Sequence, residues 1–166
     1  MIRRASIAAA ALSFAGLSTA RADPCIVPRV DVADWAMVRS ARVPGFTLRL
    51  PRTFTREAGT GDAPSARWSD SSRARFEIAH RTSDATLTPL PSPDGRTAYA
   101  RCEDRVGSAT AIIISYGDGS TASAYVVHAR IQWPDGEALD VRADATDRAQ
   151  LDQLIAAVRT VRRAGA

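Results

Sequence analysis

From Tyr125 onward, side chains alternate: Tyr125, Val127, Ala129, Ile131 and Trp133 fall on one side, Val126, His128, Arg130 and Gln132 on the other. Successive residues of a strand point to opposite faces, so this pattern predicts a strand with one face toward a core. Pro134-Asp135-Gly136 turns the chain into Ala138 to Asp144, where Leu139, Val141 and Ala143 share a face opposite Asp140 and Arg142. These two strands should pair antiparallel with a common buried side. Upstream, Ala109 to Tyr116 and Thr121 to Trp133 flank Gly117-Asp118-Gly119-Ser120, which reads as a hairpin turn. Ala74, Phe76, Ile78 and His80 alternate with Arg73, Arg75, Glu77 and Ala79, and the turn composition of Asp70-Ser71-Ser72 joins them to Ala66 to Ser69. Pro44-Gly45 leads into Phe46, Leu48 and Leu50 on one strand face, stopped by Pro51. Thr53 to Arg56 reads as a short return strand, and Thr97 to Glu103 can resume the sheet.

The period changes near the end of the chain. Leu151, Leu154, Ile155, Val158 and Val161 recur at helical spacing on one face, and Asp147 with Gln150 has the spacing of a capping box. Arg159, Arg162 and Arg163 are expected in the final turns, where positive charge suits the helix dipole. The predicted class is α+β: an antiparallel sheet covered by a C-terminal helix, in a small single-domain α/β sandwich. Between Asp23 and Arg42 both periods fit, because Val32, Trp35 and Val38 suit a helix while Trp35, Met37 and Arg39 suit a strand. Trp35 is expected to be buried either way. Glu57 to Ser65 and the proline-rich Arg81 to Arg96 read as connectors, the second as an exposed lobe.

The first residues add a compartment. Arg3 and Arg4 precede an apolar run from Ile7 to Leu17, and Ala20-Arg21-Ala22 is a small-x-small cleavage site. Residues 1–22 are expected to be a signal peptide and residues 23–166 a single exported domain, periplasmic or extracellular. The apolar run before Ala20 is roughly 13 residues, shorter than the roughly 20 that cross a bilayer, so no transmembrane segment is expected. Cys25, preceded by Ala22-Asp23-Pro24, lacks the context of a lipid anchor. Cleavage would leave 19 of the 22 basic residues and all 18 acids, so the net charge of +4 falls to about +1.

In an oxidising compartment the two cysteines, Cys25 and Cys102, are expected to form a disulfide. Closing that loop would tie the N-terminal segment to the body, stabilising it by roughly 4 kcal/mol on a chain-entropy argument. The chain has no C-x-x-C pair or Cys/His cluster for redox or metal chemistry. Interspersed arginines and acids do not form the basic stripe that nucleic acid requires.

Candidate chemistry is sparse. His80 and His128 are the two histidines; His128 faces away from the apolar side of its strand and His80 ends the apolar side of its own, so they need not converge. A metal site needs about three or four converging ligands, and none is expected. A hydrolase reading would combine Ser120 or Ser115 with His128 and Asp118 or Asp140, but the G-x-S-x-G elbow is missing. No phosphate-loop motif occurs, and there is no lysine to serve one. The arginines Arg73 and Arg75, beside Glu77, and the group Arg159, Arg162 and Arg163 are candidates for an anionic contact.

The order of elements resembles the PsbP/Mog1-like family and its bacterial LpqN-like relatives, on Gly45-Phe46-Thr47-Leu48-Arg49-Leu50-Pro51, the Tyr125 to Ala143 hairpin and the helix ending Ala157-Val158-Arg159-Thr160-Val161-Arg162. That resemblance implies a sheet covered by helices; such families include accessory and assembly proteins without a shared catalytic site, so it implies a fold and no functional residue. The leading functional expectation is an exported, non-enzymatic envelope protein that binds a protein partner, with no cofactor and no assigned catalytic or metal-binding residue. The alternatives are a small envelope hydrolase using His128 or His80 and a module binding a small apolar ligand between sheet and helix.

Overall fold

A computed structural model of the chain describes residues 30–58, 64–82, 89–92, 97–117 and 124–164. Among the described residues ten strands and one helix follow in chain order: β1 Ala36–Ser40, β2 Val43–Leu50, β3 Thr55–Arg56, β4 Ser65–Ser69, β5 Arg75–Thr82, β6 Thr97–Val106, β7 Ala109–Gly117, β8 Tyr125–Gln132, β9 Glu137–Ala145, α1 Arg148–Arg159 and β10 Arg162–Arg163. Seven of the strands make an antiparallel sheet in the order β3-β4-β5-β9-β8-β7-β6, and three make a second sheet ordered β1-β2-β10. This is a small single α+β domain with a multi-stranded antiparallel sheet and one C-terminal helix, as the periodicities predicted.

Local chemistry sets the register. The β8–β9 turn closes with Trp133 donating to the Glu137 carbonyl at 2.9 Å, and its Gly136 adopts φ +87°. A side chain is disfavoured in that left-handed region, which is why Asp-Gly suits the turn. The turn places Arg130 opposite Asp140 and Ile131 opposite Leu139. One inward row per strand then meets the helix and the small sheet: Phe76, Ile78, Val127, Ile131, Leu139 and Val141 join Leu151, Leu154 and Val158 of α1 and Phe46, Leu48 and Leu50 of β2 in one buried cluster. Burying a side chain of this kind contributes roughly 1.5–3 kcal/mol, so the cluster dominates the stability of the fold.

The helix begins where the capping pattern predicted. Asp147 has extended backbone and its carboxylate accepts from the Gln150 amide at 2.8 Å. The reciprocal contact is shifted by one residue, since the Gln150 side-chain oxygen accepts from the amide and hydroxyl of Thr146 at 2.9 and 2.8 Å. At the other end the arginine expectation needs correcting. The helix stops at Arg159 because the Thr160 hydroxyl donates to the Ala157 carbonyl at 2.7 Å and accepts from the Arg49 amide at 2.8 Å, handing the chain to β2. Arg162 and Arg163 therefore pair as a strand with Thr47 and Phe46, while Val161 is fully buried beside them.

Other readings are also resolved here. Ala36–Ser40 is a strand, and Val38 and Ser40 face inward while Met37 is 57% exposed. Trp35 is half-buried against the core instead of fully buried. The expected return strand shrinks to Thr55–Arg56, and the strand beginning at Thr97 runs on to Val106. The Asp118-Gly119-Ser120 turn and the expected signal segment lie outside the described residues. Among the described residues no helix is long and apolar enough to cross a membrane.

The disulfide expected between Cys25 and Cys102 involves Cys25, which lies outside the described residues. Cys102 is engaged and is not a free thiol; it sits half-buried on β6 opposite Ile113. Apolar packing holds the described body together.

Candidate functional site on the outer face of the large sheet

The residues that alternate with the core rows form the sheet's second face, and the register aligns them across strands. One row runs Arg67, Glu77, Arg142, His128, Ile114 and Arg101 from β4 to β6. Its neighbours run Ala79, Asp140, Arg130, Ile112 and Glu103 on one side, and Ser69, Arg75, Asp144, Val126 and Tyr116 on the other. The face is thus charged over β4, β5 and β9 and apolar over β7, with His128 and Arg130 of β8 beside the apolar Val126. Ile112, Ile114, Tyr116 and Val126 make a second buried cluster, separate from the main core.

His128 stands at the boundary between these halves. Its Nδ1 lies 2.8 Å from the Pro91 carbonyl oxygen. A carbonyl can only accept, so Nδ1 carries the proton and Nε2 keeps its lone pair when the ring is neutral. Burial pushes the imidazole below its ordinary value; the Pro91 hydrogen bond opposes that, the Arg142 charge adds to it, and Asp144 and Asp140 oppose it further. The ring packs edge-on to Tyr116 at 5.5 Å between centroids. The connector expected to form an exposed lobe is thereby corrected over part of its length: Leu90 is 5% exposed, and Pro91 is fastened to the outer face. Residues 83–88 and 93–96 lie outside the described residues.

Two ion-pair groups organise the charged half. Asp140, only 4% exposed, accepts from Arg130 through both oxygens at 2.7 and 3.0 Å and pairs with Arg81 at 2.9 Å. A buried carboxylate needs such partners, because desolvating it unpaired costs several kcal/mol. Glu77 accepts from Arg67 at 2.8 and 3.3 Å. Beside these pairs lies an open groove of about 350 Å³, lined by Arg67, Arg75, Glu77, Val126, His128, Arg142, Ala143 and Asp144. Arg75, Arg142 and Asp144 form no ion pair within 4 Å among the described residues.

Among the described residues, those weighed for catalysis do not come together. His80 lies on the inner side at the sheet's end, with Nε2 2.8 Å from Glu137, its ring 5.7 Å from Phe46, and Glu137 paired to Arg163 at 2.7 Å. Arg163 also contacts Asp135. This group fastens β10 across to β5 and β9. His80 and His128 are therefore on opposite faces. Ser115 is buried opposite Val127 on the inner face, whereas His128 points outward, so those two cannot form a nucleophile–base pair. Asp140 is occupied by two arginines, and Ser120 and Asp118 lie outside the described residues. Among the described residues no group of three or more His, Cys, Asp or Glu could hold a metal ion.

The Asp140 cluster and the Pro91 contact were not anticipated. The first was accessible: centring the hairpin on Pro134-Asp135-Gly136 places Arg130 across from Asp140. The second had no local signal. Comparison with known proteins supplies no family, since no family model and no curated protein matches the chain.

Proposed function

We propose that the protein is a non-enzymatic binding domain, exported from the cytoplasm, that meets a protein partner through the outer face of its large sheet. The observation that carries this reading is the unequal use of the sheet: one face is consumed by packing, while the other keeps exposed arginines and part-buried carboxylates around a groove bordered by a buried histidine. Of the described residues weighed for hydrolysis, Ser115 lies on the opposite face from His128 and Asp140 is held by two arginines, which supports binding over turnover. The Arg3-Arg4 start, the apolar run and the Ala20-Arg21-Ala22 site support export. Loops and surfaces held on a rigid sheet are where recognition concentrates.

The test is a photo-reactive residue placed at position 142 or, for comparison, at position 39 on the small sheet, in cells that export the protein. A discrete cross-linked protein from position 142 and none from position 39 is expected. Equal labelling from both positions, or hydrolysis of an ester panel that His128→Ala abolishes, would replace this reading with another.

A further inference from the structure

The groove carries an inference about what the partner presents; it rests on the reading of the outer face as the working surface. We propose that the groove receives an extended acidic peptide segment whose carboxylates, at alternate positions, are held by Arg75 and Arg142.

Charge accounting leads there. Glu77 is matched by Arg67 through two hydrogen bonds, and Arg67 also lies 3.8 Å from Glu57 outside the groove, which leaves Arg75 and Arg142 against Asp144 in the groove. Among the groove's lining residues the arginines Arg67, Arg75 and Arg142 outnumber the carboxylates Glu77 and Asp144, and Arg75 and Arg142 are exposed. An arginine fork pairs well with a carboxylate. The ring of His128, 9% exposed, borders the site without adding a cation.

Spacing points to an extended ligand. Arg75 stands opposite Asp144 and Glu77 opposite Arg142, so the two arginines are diagonal neighbours on adjacent strands. Diagonal positions are roughly 7–8 Å apart, and alternate side chains of an extended chain repeat at about 6.6–6.8 Å. A peptide with acids at every second position can thus set successive carboxylates on the two arginines. Asp144 between them disfavours a compact polyanion and can accept from a peptide amide.

The neighbouring turn supports the same direction. Arg73, two residues before Arg75 and exposed at the tip of the β4–β5 hairpin, has φ +71°, a conformation in which glycine or asparagine is favoured. The chain keeps a guanidinium there at a conformational cost.

The experiment uses a fluorescein-labelled peptide of alternating glutamate and serine, titrated with the protein and read by anisotropy. Binding that weakens with added salt and falls at least tenfold in Arg75→Gln and in Arg142→Gln, but not in Arg39→Gln, is expected. A peptide of the same composition with its glutamates in one block should bind at least threefold more weakly. No binding of the alternating peptide, equal loss in Arg39→Gln, or equal affinity for the block peptide overturns the proposal. If cross-linking still maps a partner to position 142, the outer-face reading survives and only the acidic segment is wrong.

Discussion

The two faces of the seven-stranded sheet are built from alternate residues of the same strands, yet they do opposite work. Inward, Phe76, Ile78, Val127, Ile131, Leu139 and Val141 are closed under α1 and β2. Outward, the same strands carry Arg75, Glu77, His128, Arg130, Asp140 and Arg142, and the apolar part is the cluster of Ile112, Ile114, Tyr116 and Val126. The difference teaches that the inner face specifies the fold by area, while the outer face is organised by pairing: each buried polar group there has a named partner. Asp140 has Arg130 and Arg81, and His128 has Pro91.

Substitutions on each face should separate these roles. Leu154→Ala removes a fully packed side chain of the inner layer and should cost about 2–5 kcal/mol in urea unfolding; a cost below about 0.5 kcal/mol would mean the helix does not cover the sheet. Asp140→Ala leaves Arg130 without its buried carboxylate and should cost about 2–3 kcal/mol, a little under the usual range for a broken buried pair because Arg81 remains largely solvated. The double change Asp140→Leu with Arg130→Met should recover most of that loss, which sharpens the claim that pairing, not shape, is what Asp140 supplies. Arg73→Gly should stabilise by about 0.5–1 kcal/mol by relieving the positive φ, and a destabilised variant would deny the strain.

A smaller effect should appear with pH. Because burial holds the folded-state pKa of His128 below the ordinary value of 6.5, the unfolded chain binds its proton first as pH falls. The contribution to stability is therefore complete above about pH 6.5 and is lost progressively as pH drops toward the lower folded-state value. Unfolding midpoints between pH 7.5 and 5, compared with those of His128→Gln, should show this slope in the parent only. A parallel slope in both proteins would assign the titration elsewhere.

How much of this was legible in the sequence depended on whether local or distant contacts decide an element. The β8–β9 hairpin, the inward and outward assignment of its residues, and the capped start of α1 follow from periodicity and turn chemistry that lie within a few residues. Ala36–Ser40 was ambiguous because its strand character comes from pairing with β2, a partner outside the window. The helix end at Arg159 was misjudged for the same reason: Thr160 is claimed by Arg49, more than a hundred positions away. On the candidate site, the outward position of His128 was legible, but its burial was not, since Pro91 reaches it from a connector whose prolines read only as exposed.

The most direct test of the division between the faces is an amide chemical-shift map of the isotope-labelled protein titrated with the alternating glutamate peptide. The account predicts shifts concentrated at Arg67, Arg75, Glu77, His128, Arg142 and Asp144 on the outer face, with α1 and β2 unmoved. Shifts centred on α1 and the small sheet, leaving those outer-face amides in place, would contradict it.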